Sequence, residues 1–222
     1  MPVRIERHPD PESLAITAAR EAAAAIARAR AARGTAHLCL AGGTTPLRCY
    51  ELLERVVTDW SGVHLWYGDE RCVPFDDPLS NHGQVRRRLH AEGAVWHPMP
   101  ATLGPEEGAR EYDRELDGVT FDLVHLGLGP DGHTASLFPN HPALDARTFA
   151  APVTDAPKPP PERITLTLRA LNAARRIVLL VTGREKAGAL ERLRAGADRS
   201  VPASLLDRRR LLVMADREAL PT

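Results

Sequence analysis

Cysteine is scarce in this chain and does not pair by spacing. Only Cys39, Cys49 and Cys72 occur in 222 residues. An odd number without a CxxC argues against a disulfide framework or a zinc ribbon and fits a reducing, cytoplasmic setting. Long apolar runs are also absent: nothing approaches the roughly 18 consecutive apolar residues of a membrane span, so no membrane partner is expected. The opening MPVRIERHPD lacks the apolar stretch of a secretory leader. Net charge is missing too. The 29 basic and 29 acidic side chains cancel, which removes the global field that would draw nucleic acid or an anionic surface. The arginine runs at 86–88 and 208–210 read as solvated faces.

Several reactive motifs are missing as well. GxxxxGK[ST] does not occur, so there is no Walker phosphate loop. GxSxG does not occur, which excludes the serine elbow of an α/β-hydrolase and leaves activated water as the nucleophile if the chain is a hydrolase. No HExxH or comparable ligand spacing appears, and no metal site is expected.

What is present points to one α/β domain over residues 1–222. Apolar content of 43% is ample for a core, and no internal repeat or shift of composition marks a second domain. Asp10 as N-cap, Pro11 in the first turn, an alanine-rich stretch and Gly34 predict a helix over 11–33. Apolar runs then recur from His37, Val63, Phe121, Arg163, Arg176 and Leu211, with helices predicted over 46–57, 81–90, 105–116 and 185–193. This alternation predicts an open, mostly parallel, Rossmann-like doubly wound sheet with helices on both faces. The stretch 152–163, PVTDAPKPPPER, is too rich in proline for helix or strand and reads as an ordered loop.

Ligands of such sheets bind beyond the carboxyl ends of the strands, and there the sequence is unusually polar. Gly42, Gly43, Thr44 and Thr45 follow one run; Asp69, Glu70 and Arg71 another; Asp131 and His133 a third; Thr182, Gly183 and Lys186 a fourth. Four loops with anion binders or titratable groups on one edge imply a single site. In AGGTTPLRC, glycines, hydroxyls and a proline lead into a helix, which suits a phosphate or else a threonine N-cap. In WYGDER, Asp69 and Arg71 could orient a sugar or pair with each other at the surface. Ser80 or Asn81 caps the next predicted helix, and capping is the default role of Asn81. GLGPDGH satisfies GxGxxG, but Pro130 and Asp131 sit between the last two glycines, only about one helical turn fits before Pro139, and no acidic ribose partner follows. His133, flanked by glycine and two residues from Asp131, is the best general-base candidate among the histidines, while His64 and His125 read as structural.

Taken in order, GGTTP, DER with a downstream SN, GLGPDGHTASLFP, PPPERITL and GREK resemble the 6-phosphogluconolactonase family, over roughly residues 38–206. The resemblance implies an open α/β sheet shared with glucosamine-6-phosphate deaminases and no metal or organic cofactor. It also implies a small-molecule phosphosugar lactone, 6-phospho-D-glucono-1,5-lactone, hydrolysed to 6-phosphogluconate in the oxidative pentose phosphate pathway. Deaminases carry DGHIAFNEP where this chain has DGHTASLFP, so Leu137 and Phe138 replace an Asn and the ring-opening Glu. By the same resemblance His133 would be the general base, Asp69 and Asp131 would orient the imidazole or substrate hydroxyls, and Arg71 would stabilise the oxyanion. Gly43, Thr44, Thr45, Arg163 and Lys186 would hold the phosphate, and Asn81 would order a loop or touch substrate. The expected assembly is a monomer or a weak homo-oligomer.

Overall fold

The computed structural model describes residues 2–220. In chain order the strands are β1 (Arg4–His8), β2 (Ala36–Leu40), β3 (Val63–Tyr67), β4 (Asp69–Arg71), β5 (Val95–Trp96), β6 (Leu123–Gly127), β7 (Ala150–Val153), β8 (Arg163–Leu166), β9 (Ile177–Val181) and β10 (Leu211–Asp216). The helices are α1 (Pro11–Arg33), α2 (Thr44–Val56), α3 (Asn81–Arg86), α4 (Gly104–Glu115), α5 (Leu168–Ala173) and α6 (Ala187–Ala195). Seven strands form one sheet in the order β1-β10-β9-β6-β2-β3-β5, and every pairing in it is parallel. The inner strands are apolar along their length, as a sheet covered on both faces requires: all five residues of β9 and all six of β10 are buried.

Helix α1 forms for the reasons its sequence suggests. The Asp10 carboxylate accepts from the Ser13 amide at 2.7 Å, Pro11 occupies the first turn, and Gly34 closes the helix at φ 80° by donating to the Arg30 carbonyl. Its buried stripe is mostly alanine, from Ala15 and Ala18 to Ala29. Side chains this small let α1 lie close against α2 and the sheet.

Three expectations need correction. The run from Arg163 is a strand, but β8 is not in the parallel sheet. It lies between β4 and β7 in a separate three-stranded sheet and pairs antiparallel with both. Only a loop joins β7 to β8, and a parallel pairing needs a longer crossover. The proline-rich stretch is not loop throughout, because Pro152 and Val153 belong to β7. That strand is an edge strand, where the missing amide of proline is tolerated. No helical turn follows His133; instead Thr134 and Leu137 form a β-bridge around Ala135 at φ 49°. Strands β1, β4 and β5 escaped prediction because RIERH carries no apolar run and the other two are very short.

Candidate active site

Strands β9, β6, β2 and β3 are consecutive neighbours in the sheet, so the loops leaving their carboxyl ends adjoin. Together they line a cavity of about 480 Å³ that contains Gly43, Thr44, Thr45, Asp69, Arg71, Asn81, His133, Arg163 and Lys186. The four-loop expectation holds. A fifth segment, Lys158 and Pro159 ahead of β8, closes one side.

The loop after β6 presents His133. Nδ1 of His133 donates to Oδ1 of Asp131 at 2.5 Å, and the His133 amide donates to the same oxygen at 3.3 Å. An ionised carboxylate can only accept, so Nδ1 carries a proton, and in the neutral ring, which burial favours, Nε2 keeps its lone pair. Nε2 has no protein partner among the described residues, and the ring borders the cavity. A β-carbon at position 129 would lie 2.0 Å from the His133 ring and 2.5 Å from Asp131, so glycine is required beneath the pair. Burial lowers the His133 pKa from its ordinary value, against the pull of Asp131, and the positive charge of Lys158 acts in the same direction as burial. Burial pushes the Asp131 carboxyl up, but the charge of His133 and its hydrogen bond outweigh this and leave it lowered.

Asp69 is 8% exposed and faces the cavity from β4. Its Oδ2 accepts from the Ser136 hydroxyl at 2.6 Å, and its Oδ1 and main-chain oxygen accept from Nδ2 of Asn81 at 3.1 and 2.9 Å. Asp69 therefore does not form the surface pair with Arg71 that the sequence allows. Arg71 donates to the Leu79 carbonyl at 2.6 Å. Ser80, not Asn81, caps α3, accepting from the Gly83 amide at 3.0 Å, which frees the Asn81 side chain for Asp69. Glu70, buried completely, gathers the amides of Arg71, Asn81 and His82 and the Ser80 hydroxyl. Burial pushes its carboxyl up despite these donors.

At the far side, α2 begins at Thr44 with Gly43 as N-cap at φ 97° and no side-chain cap. The threonine cap of the ligand-free reading is thus absent. Thr45 instead shares a 2.6 Å hydroxyl contact with Thr182. Lys186 approaches Glu185 at 3.8 Å. Arg163 borders the cavity while bonding to its rim: Nε donates to the Pro160 carbonyl at 3.1 Å, Nη2 to the Lys158 carbonyl at 2.8 Å, and the guanidinium lies 5.6 Å from the Phe138 ring centre. Its bonds hold the segment that carries Lys158. Lys158 was overlooked in the sequence, although it had a signal: the chain has only two lysines, Lys158 and Lys186, and both line this cavity.

Residues 9–214 match the family described as glucosamine-6-phosphate isomerases/6-phosphogluconolactonase. The chain belongs to that family. It is 40% identical to a 6-phosphogluconolactonase of Mycobacterium tuberculosis, with 97% of this chain and 96% of the relative covered. A 6-phosphogluconolactonase structure from Shewanella baltica OS155 superposes with a TM-score of 0.88 at 30% identity, covering 96% of this chain and 97% of that one. A monomeric glucosamine-6-phosphate deaminase is similar in fold alone, at TM-score 0.83 and 24% identity over 97% and 98% of the two chains. Family membership therefore leaves two chemistries to separate. At the positions aligned above with the Asn and Glu of the deaminase motif stand Leu137 and Phe138, both buried, with Phe138 5.0 Å from the His133 ring.

Proposed function

We propose that this chain is a 6-phosphogluconolactonase that hydrolyses 6-phospho-D-glucono-1,5-lactone to 6-phosphogluconate by His133-activated water. The relatives of that name, aligned over nearly the whole chain, support lactone hydrolysis in the pentose phosphate pathway. The observation that carries the reading within the site is the state of His133. One nitrogen is engaged by Asp131, the other is open to the cavity, and no carboxylate stands at 137 or 138 to assist ring opening of an amino sugar.

The chemistry follows from that arrangement. Nε2 of His133 takes a proton from water as its oxygen bonds to the lactone carbonyl carbon. The charge that collects on the carbonyl oxygen is met by Arg71. When the bond to the ring oxygen breaks, the imidazolium returns its proton to that oxygen, and the acid is released with His133 neutral again. Asp131 holds the ring and stabilises its charged form. The phosphate sits at the uncapped start of α2, near Gly43, Thr44 and Thr45, with Lys186 and Lys158 as counter-charges. Arg163 contributes by fixing the Lys158 segment, and Asn81 by fixing Asp69.

The test adds purified protein to freshly prepared lactone and follows its loss above the spontaneous rate, with His133→Ala and glucosamine 6-phosphate in parallel. Rapid lactone loss that disappears in the variant is expected. Ammonia release from the amino sugar, without lactone hydrolysis, would overturn the reading.

A further inference from the structure

Asp69 is braced from behind in a way that the chemistry above does not use. Ser136 is completely buried, three residues after His133, and its hydroxyl donates to Oδ2 of Asp69 at 2.6 Å. The Ser136 amide in turn donates to the Thr165 hydroxyl at 3.1 Å, and that hydroxyl donates to the Leu166 carbonyl at 3.0 Å. Asp69 and Thr165 face each other across the β4–β8 pairing. Ser136 thus joins the His133 loop to both strands of the small sheet. On the other side, Nδ2 of Asn81 donates to Oδ1 of Asp69, and a β-carbon at Gly42 would lie 1.9 Å from Asn81 Oδ1, so only glycine at 42 leaves space for the amide in this position.

Both carboxylate oxygens of Asp69 are therefore satisfied from the protein side by donors. An ionised carboxylate has about four acceptor sites and no donor. Those left over, in a side chain that borders the cavity, can take only donors from a ligand, such as the ring hydroxyls of a sugar lactone. They cannot take its phosphate. We infer that Ser136 is a positioning residue that fixes Asp69 as an acceptor for substrate hydroxyls in one rigid unit with the His133 loop. The inference rests on the lactonase reading for the identity of the ligand, but not for the brace itself.

The experiment is a binding cycle by calorimetry on the wild type, Ser136→Ala, Asp69→Asn and the double variant, with 6-phosphogluconate and inorganic phosphate as separate ligands. Binding of the product acid is measurable even where turnover is lost. Ser136→Ala is expected to raise Kd for the product acid about tenfold to a hundredfold, the range for a hydrogen bond to a charged group, and to leave inorganic phosphate unchanged. In the Asp69→Asn background the same substitution should add nothing, because its effect runs through Asp69. Steady-state kinetics should show the loss in KM rather than in kcat. A loss that multiplies in the double variant, or equal weakening of both ligands, would assign Ser136 a merely structural role and overturn the inference. A wild-type protein that shows this binding pattern but no lactone turnover would overturn the lactonase reading alone.

Discussion

Two of the histidine–carboxylate pairs among the described residues stand near opposite ends of the parallel sheet, and they have different uses. At the carboxyl ends, His133 gives Nδ1 to Asp131 and keeps Nε2 for the cavity. Near the amino ends, His37 and His64 are register partners on β2 and β3, with stacked rings 4.6 Å apart, and His97 follows β5. There the rings bond to one another and to neighbouring side chains. His97 Nδ1 is bonded to Glu115, its Nε2 lies 3.0 Å from His64 Nδ1, and His37 Nδ1 accepts from the Trp66 indole at 3.1 Å. Trp66 stacks on His97 at 3.7 Å. A carboxylate beside an imidazole does not define a base. The distinguishing feature is a second nitrogen left unspent beside a space that a substrate can fill.

Substitution at each end tests that contrast most sharply. His133→Ala should lower kcat by about 10²–10⁴-fold, the usual worth of a general base, with Tm unchanged. His97→Ala should leave kcat near wild type and cost about 1–3 kcal/mol of stability from the stranded partners, read as a lower Tm. Loss of turnover in His97→Ala at unchanged Tm would erase the distinction. Asp131→Asn comes next. Its amide can donate to Nδ1 and leave the imidazole in the wrong tautomer, so kcat should fall by about 10²–10⁴-fold. The acid limb of kcat/KM should move to lower pH, since the carboxylate was raising the His133 pKa.

At the amino end, acid bears on stability. Burial, with repulsion from His64 adding to it, lowers His37 from 6.5 to about 4; Asp122 opposes this, while His97 and Arg33 reinforce it. The unfolded chain therefore takes up this proton first. Stability from the stack is complete above the unfolded value near 6.5 and declines as pH falls toward 4. Thermal melts between pH 7 and pH 4 should show falling Tm, with a shallower fall in His37→Gln. An unchanged slope in that variant would remove the stack from the account of acid sensitivity.

Much of the functional end was legible in the sequence because its signals are local. Glycines, hydroxyls and titratable groups directly follow apolar runs, and the sheet order sets those runs side by side. Asp131 and His133 are two residues apart, so their proximity could be read from the motif, but whether Asp69 or Asp131 touches the imidazole could not. The Asp69 brace could not, because Ser136 lies 67 positions away in the chain. The bonds of Arg163 within the site could not be read for a similar reason. A cation beside a phosphosugar motif suggests an anion ligand, but this guanidinium also donates to the main-chain carbonyls of Lys158 and Pro160. The small antiparallel sheet was missed because its strands look like those of the large one until their connections are known.

Two smaller effects sharpen the comparison at the cavity itself. Lys158→Gln removes a charge that lowers the His133 pKa, so the acid limb of kcat/KM should move to higher pH, opposite to Asp131→Asn, while KM rises about tenfold if the ammonium also meets the phosphate. Glu185→Gln should have the smallest effect and the reverse sign in KM. Its carboxylate is 64% exposed and 3.8 Å from Lys186, so it competes with the substrate phosphate for the same cation through an ion pair worth about 0–1 kcal/mol. Removing that charge should lower KM by at most about fivefold, tighten inhibition by inorganic phosphate in parallel, and leave kcat alone. A rise in KM instead would show that the carboxylate orients Lys186 for the phosphate rather than competing with it, and the proposed charge balance at the start of α2 would have to be drawn with Glu185 as a supporting group.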